Sequence, residues 1–142
     1  MFHNTLSIST LYLSALVLTA ITVMSCGQLR PGVRSYDIEV TDDITYDKDH
    51  RLTFVEVLED SRCPVGAACV APGEAVISFE AVRNGDDVVD FNLRFGDAVT
   101  NRDTTIFDEY RIELLEVLPI PEVGNQPDPE DYEIRVVVEK LP

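Results

Sequence analysis

The sequence predicts an all-β domain: an antiparallel β-sandwich of seven to eight short strands, immunoglobulin-like in shape, with one short-loop disulfide. Three observations point there. Between Tyr36 and Glu139 the apolar residues recur mostly at every second position, the period of a half-buried strand. Clusters of Gly, Pro, Asn and Asp punctuate these runs at short intervals. No segment after Cys26 shows a helical period, and many short strands without helices favour two packed sheets.

Tyr36-Asp37-Ile38-Glu39-Val40 alternates apolar and acidic residues, a strand with one buried face. Thr41-Asp42-Asp43 interrupts it, Ile44 to Tyr46 makes a short strand, and Asp47-Lys48-Asp49-His50 is a charged turn. Leu52 to Leu58 has β-forming residues on both faces and is expected to be a central strand covered on two sides. Ala75 to Val82 and Val88 to Phe95 form a hairpin around Arg83-Asn84-Gly85-Asp86. A two-residue Asn84-Gly85 loop would mix core and solvent faces. The expected loop is therefore Arg83-Asn84-Gly85, with Gly85 left-handed, setting Phe79 opposite Val89, Ile77 opposite Phe91 and Ala75 opposite Leu93. Gly96 to Asp103 is a polar connection, and Thr104 to Phe107 a short strand. Asp108-Glu109 is a tight turn, followed by a longer strand from Tyr110 to Val117. Four prolines make Leu118 to Asp131 a loop. Tyr132 to Glu139 closes the domain, with Tyr132, Ile134, Val136 and Val138 on one face.

The 142 residues suffice for one domain. With 11 Lys and Arg against 26 Asp and Glu, the net charge is −15, and every one of these residues lies after Cys26. Nucleic acid is excluded as a partner, because displacing counterions from phosphates needs clustered cations. An electrostatic grip on anionic lipid is excluded on the same ground. A cation or a basic protein surface remains compatible with this charge.

Residues 11–24 are apolar and uncharged, too short for a membrane span and suited to the core of a signal peptide. Val23-Met24-Ser25-Cys26 at its end resembles the lipobox of bacterial lipoproteins. That resemblance implies cleavage before Cys26 and lipidation of its sulfur. Residues 1–25 are then the lipoprotein signal peptide, 26–35 the lipidated cysteine and a tether, and 36–142 the β-sandwich. Gly27, rather than Asp, follows the cysteine, which in such lipoproteins implies the outer membrane, and the periplasmic face is expected. Cysteine parity agrees: of three cysteines one is lipidated and two remain to pair.

Cys63 and Cys69 enclose five residues, including Pro64 and Gly66 as turn formers. In an oxidising compartment a pair at this spacing closes a small ring that contributes roughly 2–3 kcal/mol. A redox pair would more often be Cys-x-x-Cys, and a metal site would need a second pair of ligands. Arg62 is expected to favour the Cys63 thiolate, and Asp60 to pair with Arg62 or accept from a backbone amide. His50, the one histidine after Cys26, is expected at the surface of its charged turn, which leaves nucleophilic catalysis without a base.

The segment Asp60-Ser61-Arg62-Cys63-Pro64, then Cys69 and Gly73, resembles a motif of small Bacteroidota-type lipoproteins, a family of unknown function. The strand at Tyr110 running into Pro119-Ile120-Pro121 is similar as well. The resemblance implies an exported β domain braced by a disulfide, and no activity. Ala71 stands where that motif often has Trp.

The function expected from these features is non-catalytic: a lipid-anchored envelope domain, binding or structural, that presents the disulfide-braced loop to an envelope protein or glycan. Val65, Ala67 and Ala68 are the candidate partner contacts. No cofactor is expected. Acidic turns at Asp42-Asp43, Asp47-x-Asp49, Asp86-Asp87 and Asp128-x-Glu130-Asp131 make Ca²⁺ binding one alternative. A small hydrolase is the other.

Overall fold

A computed structural model describes residues 32–96 and 103–142. The lipobox, Cys26 and the first residues of the tether lie outside the described residues, as does most of the polar connection before Asp103. Eight strands form: β1 (Val33–Glu39), β2 (Asp43–Asp47), β3 (His50–Asp60), β4 (Ala75–Arg83), β5 (Asp87–Phe95), β6 (Thr104–Phe107), β7 (Tyr110–Leu118) and β8 (Glu133–Lys140). One turn of 3₁₀ helix, Pro129–Asp131, precedes β8.

The strands build two four-stranded antiparallel sheets in the orders β1-β8-β7-β6 and β2-β3-β4-β5. This is the two-sheet sandwich that the alternating pattern predicts. The strand order is two meanders rather than the interleaved order of immunoglobulin domains. One core joins the sheets: Leu52, Phe54, Ile77, Phe79 and Leu93 from one meet Ile38, Ile112, Leu114, Ile134 and Val136 from the other.

Four local expectations are corrected. The first strand starts at Val33, inside the expected tether, because Val33, Arg34 and Ser35 already pair with Glu139, Val138 and Val137. Strand β3 is buried on one face only. Register shifts at Phe54/Glu56 and Val57/Glu59 insert Val55 and Leu58 as extra residues, which leaves them 38% and 51% exposed while Val57 turns inward.

The β4–β5 register is two residues from the expected one: Phe79 faces Phe91, Ile77 faces Leu93 and Ala75 faces Phe95. Asn84 (φ 53°) and Gly85 (φ 82°) are both left-handed, and the Asp86 amide donates to the Arg83 carbonyl at 3.3 Å. The Asn-Gly turn therefore forms after all. Asp86 is the extra residue that restores face parity, so that Arg83 pairs with Asp87. The fourth correction is His50, which is buried and only 6% exposed.

Candidate functional site

The Cys63–Cys69 ring lies between β3 and β4 at one end of the sandwich, and the local sequence explains how it is held. Beyond the strands the ladder continues: the Ser61 amide donates to the Glu74 carbonyl at 2.8 Å and the Cys63 amide to the Pro72 carbonyl at 2.7 Å. The Ser61 hydroxyl donates to the Glu74 carbonyl (3.0 Å) and accepts from the Glu74 amide (3.2 Å). Gly73 is left-handed (φ +70°), and a Cβ there would sit 1.8 Å from the Ser61 carbonyl oxygen. Only glycine lets the two arms approach this closely.

Arg62 does not serve the cysteine. Its guanidinium turns inward and is 8% exposed, with Asp60 beside it at 2%. Nε and Nη2 donate to Asp60 Oδ1 and Oδ2 at 2.8 and 2.7 Å, a two-pronged pair. Nη1 donates to the Val117 carbonyl, and Nη2 also reaches the Pro119 carbonyl at 2.8 Å. Both carbonyls belong to the other sheet's strand β7 and the loop after it. The Tyr132 hydroxyl, at the start of β8, donates to Asp60 Oδ2 at 2.9 Å. The Arg62 backbone amide donates to Asp60 Oδ1 at 3.2 Å, so both expected roles of Asp60 are realised.

Burial alone would raise the Asp60 carboxyl, but the hydrogen bonds and charge of Arg62 outweigh it and hold it below the usual carboxylate range. Burial, and then the bond to Asp60, push the Tyr132 phenol up to about 12. This clip joins the two sheets at the base of the ring.

The ring itself rests on the proline-rich loop. The Val65 amide donates to the Pro121 carbonyl at 2.8 Å, Val65 forms a parallel bridge with Glu122, and Pro121 is fully buried. Gln126 Nε2 donates to the Asp60 carbonyl at 3.1 Å. Cys63 and Cys69 are joined, with Cα atoms 5.9 Å apart.

Above this base the tip is open. Val65 is 60% exposed, Val123 65%, Ile120 51%, and Val70 wholly solvated. Ala67 and Ala68 are exposed beside them, as expected, while Pro64 is half-buried. Exposed Glu122, Asp128, Glu130 and Asp131 follow on the proline loop. No Lys or Arg occurs between Cys63 and Val82 or between Ile112 and Ile134, so the tip is an apolar centre with an acidic rim.

A second polar cluster at the opposite end went unforeseen. His50 packs against Tyr46, Tyr110 and Phe107, with ring centroids 5.6, 5.0 and 6.0 Å away. Its Nε2 lies 3.2 Å from Asp108 Oδ2, while Nδ1 and the Tyr46 hydroxyl are buried without a hydrogen-bond partner. The bond from His50, with Arg83 close by, lowers the Asp108 carboxyl, and the Tyr110 hydroxyl lowers Asp47. The signal in the sequence was the aromatic company of His50: Tyr46, Phe107 and Tyr110 all lie at strand ends next to turns.

Among the described residues no group of three or more His, Cys, Asp and Glu side chains is placed to hold a metal ion. Asp49 pairs with Lys48, and Asp87 with Arg83. Among the described residues no helix is long and apolar enough to cross a membrane. No protein-family model, curated protein or solved structure matches the chain.

Proposed function

We propose that this protein is a non-catalytic envelope domain, lipid-anchored through Cys26 at the periplasmic face of the outer membrane. It presents the Cys63–Cys69 ring to a protein partner. One observation carries the reading: an apolar tip of Val65, Val70 and Val123 is left in solvent although its base is fixed by a buried ion pair and a disulfide. A ring needed only as a staple gains nothing from exposed valines at its tip. A rigid apolar tip loses little entropy on docking, which favours binding.

The acidic rim adds partner chemistry. Glu122, Asp128, Glu130 and Asp131 suit an apolar pocket edged by Lys or Arg on the partner. Position is consistent with the anchor. Val33 pairs with Glu139 at the end of the sandwich opposite the ring, and β3, from His50 to Asp60, separates the two ends by about 35 Å.

Two measurements test the two halves of this reading. Labelled palmitate is incorporated into the wild type and not into Cys26→Ser; equal labelling of both removes the anchor. Val65→Asp abolishes partner capture while the melting temperature stays within about 2 °C, as for other exposed substitutions. Unchanged capture in that variant removes the interface.

A further inference from the structure

A cleft of about 520 Å³ opens at the end of the sandwich opposite the ring, between β1, β2 and the start of β7. Its lining runs against the character of the chain. Arg34, Lys48 and Lys140 all face it, three of the nine Lys and Arg among the described residues, with Asp47 as the one acid. Asp47 is already engaged: its Oδ2 accepts from the Tyr110 hydroxyl and its Oδ1 from the Lys48 amide, both at 2.7 Å.

Arg34 stands apart from most of the described arginines. Arg62, Arg83, Arg94, Arg111 and Arg135 each pair with a carboxylate. Arg34 is exposed and makes one long contact, Nη1 to the Tyr46 carbonyl at 3.4 Å. Among the described residues Arg34, like Arg51, has no carboxylate partner, and a guanidinium at a cleft can take a carboxylate two-pronged. Lys48 and Lys140 each hold one solvated partner, Asp49 and Glu109, in exposed pairs that exchange readily.

Beside these charges Tyr36 is half-buried and offers part of its ring, while Tyr46, Tyr110 and Val138 reach the cleft only by their edges and are otherwise in the core, with Lys140 Nζ 5.6 Å from the Tyr110 ring centre. A bare inorganic anion makes no use of the Tyr36 ring, whereas a sugar sets its C–H face against aromatic surface and its hydroxyls against polar groups such as Thr45 and Asp47. We propose that this cleft binds an acidic sugar of the uronic-acid class. Its carboxylate sits on Arg34 with Lys48 and Lys140 alongside, and its ring lies against Tyr36. The site is separate from the disulfide ring and does not depend on the function proposed for it.

Calorimetric titration of the full chain, held in an uncharged detergent, tests this with D-glucuronate, D-glucose and inorganic phosphate as probes. Glucuronate binds saturably, glucose at least about ten-fold more weakly, and Arg34→Gln weakens glucuronate about ten-fold or more, as expected for a lost charged hydrogen bond. Val65→Asp, at the far end, leaves glucuronate binding unchanged. Arg34 is exposed, so the melting temperature of Arg34→Gln matches the wild type and certifies its fold. The proposal is overturned by an absence of saturable glucuronate binding, by equal binding to Arg34→Gln, or by phosphate binding as tightly as glucuronate. The last result would mark a general anion site.

Discussion

Arg62 and Asp60 lie two residues apart and form a two-pronged ion pair, at 2.8 and 2.7 Å, closed to solvent at the base of an otherwise exposed ring. The same guanidinium reaches the carbonyls of Val117 and Pro119 in the other half of the sandwich. A buried pair of this kind is weak evidence for net stability, but removing one partner leaves an uncompensated charge. Arg62→Ala is therefore expected to cost about 3–5 kcal/mol. Arg62→Lys should fall between it and the wild type, because an ammonium lacks the planar fork. Urea denaturation checks both.

Dependence on pH follows from the same pair. Asp60 is held below its ordinary value in the folded state, so the unfolded chain binds the extra proton. Its contribution is complete above about pH 4, the unfolded value, and is lost as pH falls through the folded value. Tyr132 is raised to about 12. Its contribution is complete below about pH 10 and is lost as pH rises from there towards the folded value. The acid fall of the urea midpoint should be shallower in Asp60→Asn than in the wild type. An acid limb identical in the two proteins contradicts the assignment.

Gly73 and Gly85 separate steric from conformational cost. Both are left-handed, but a Cβ at Gly73 meets the Ser61 carbonyl at 1.8 Å, whereas nothing lies within 4 Å at Gly85. Gly85→Ala is expected to lose about 1–2 kcal/mol from backbone strain alone. Gly73→Ala must also part the two arms of the ring and should lose at least twice as much. Thermal melts of the two variants rank them.

Replacing both Cys63 and Cys69 by serine opens a ring whose cysteines are six positions apart. The chain-entropy cost for so short a loop is about 2 kcal/mol. Because Arg62 and the Val65–Pro121 bond hold the base independently, the variant should still unfold cooperatively, with a lower urea midpoint and an unchanged slope.

Much of the fold was legible because the pattern repeats along whole strands. Ile134, Val136 and Val138 face inward as their alternation predicts, and so do Ala75, Ile77, Phe79 and Ala81. What escaped was the single inserted residue. Val55 and Leu58 each shift the β3–β4 ladder by one position, and the hairpin loop takes in Asp86 in place of Arg83, which moves the β4–β5 register by two; nothing in these side chains announces it. Local composition also misled at His50, whose charged neighbours suggested solvent while its burial comes from Phe107 and Tyr110, more than fifty positions away. In the motif, Asp60 and Arg62 were recognised as partners. Their contact with Val117 and Pro119 joins segments that only the topology brings together.

The most direct test of the central claim, that the braced ring is a recognition surface, is a photoreactive residue placed at Ala68 in living cells. A discrete adduct with one protein, lost on adding Val65→Asp and retained on adding Arg34→Gln, is the result predicted. No adduct, or one that persists undiminished with Val65→Asp, would contradict the claim and leave the ring as a brace alone.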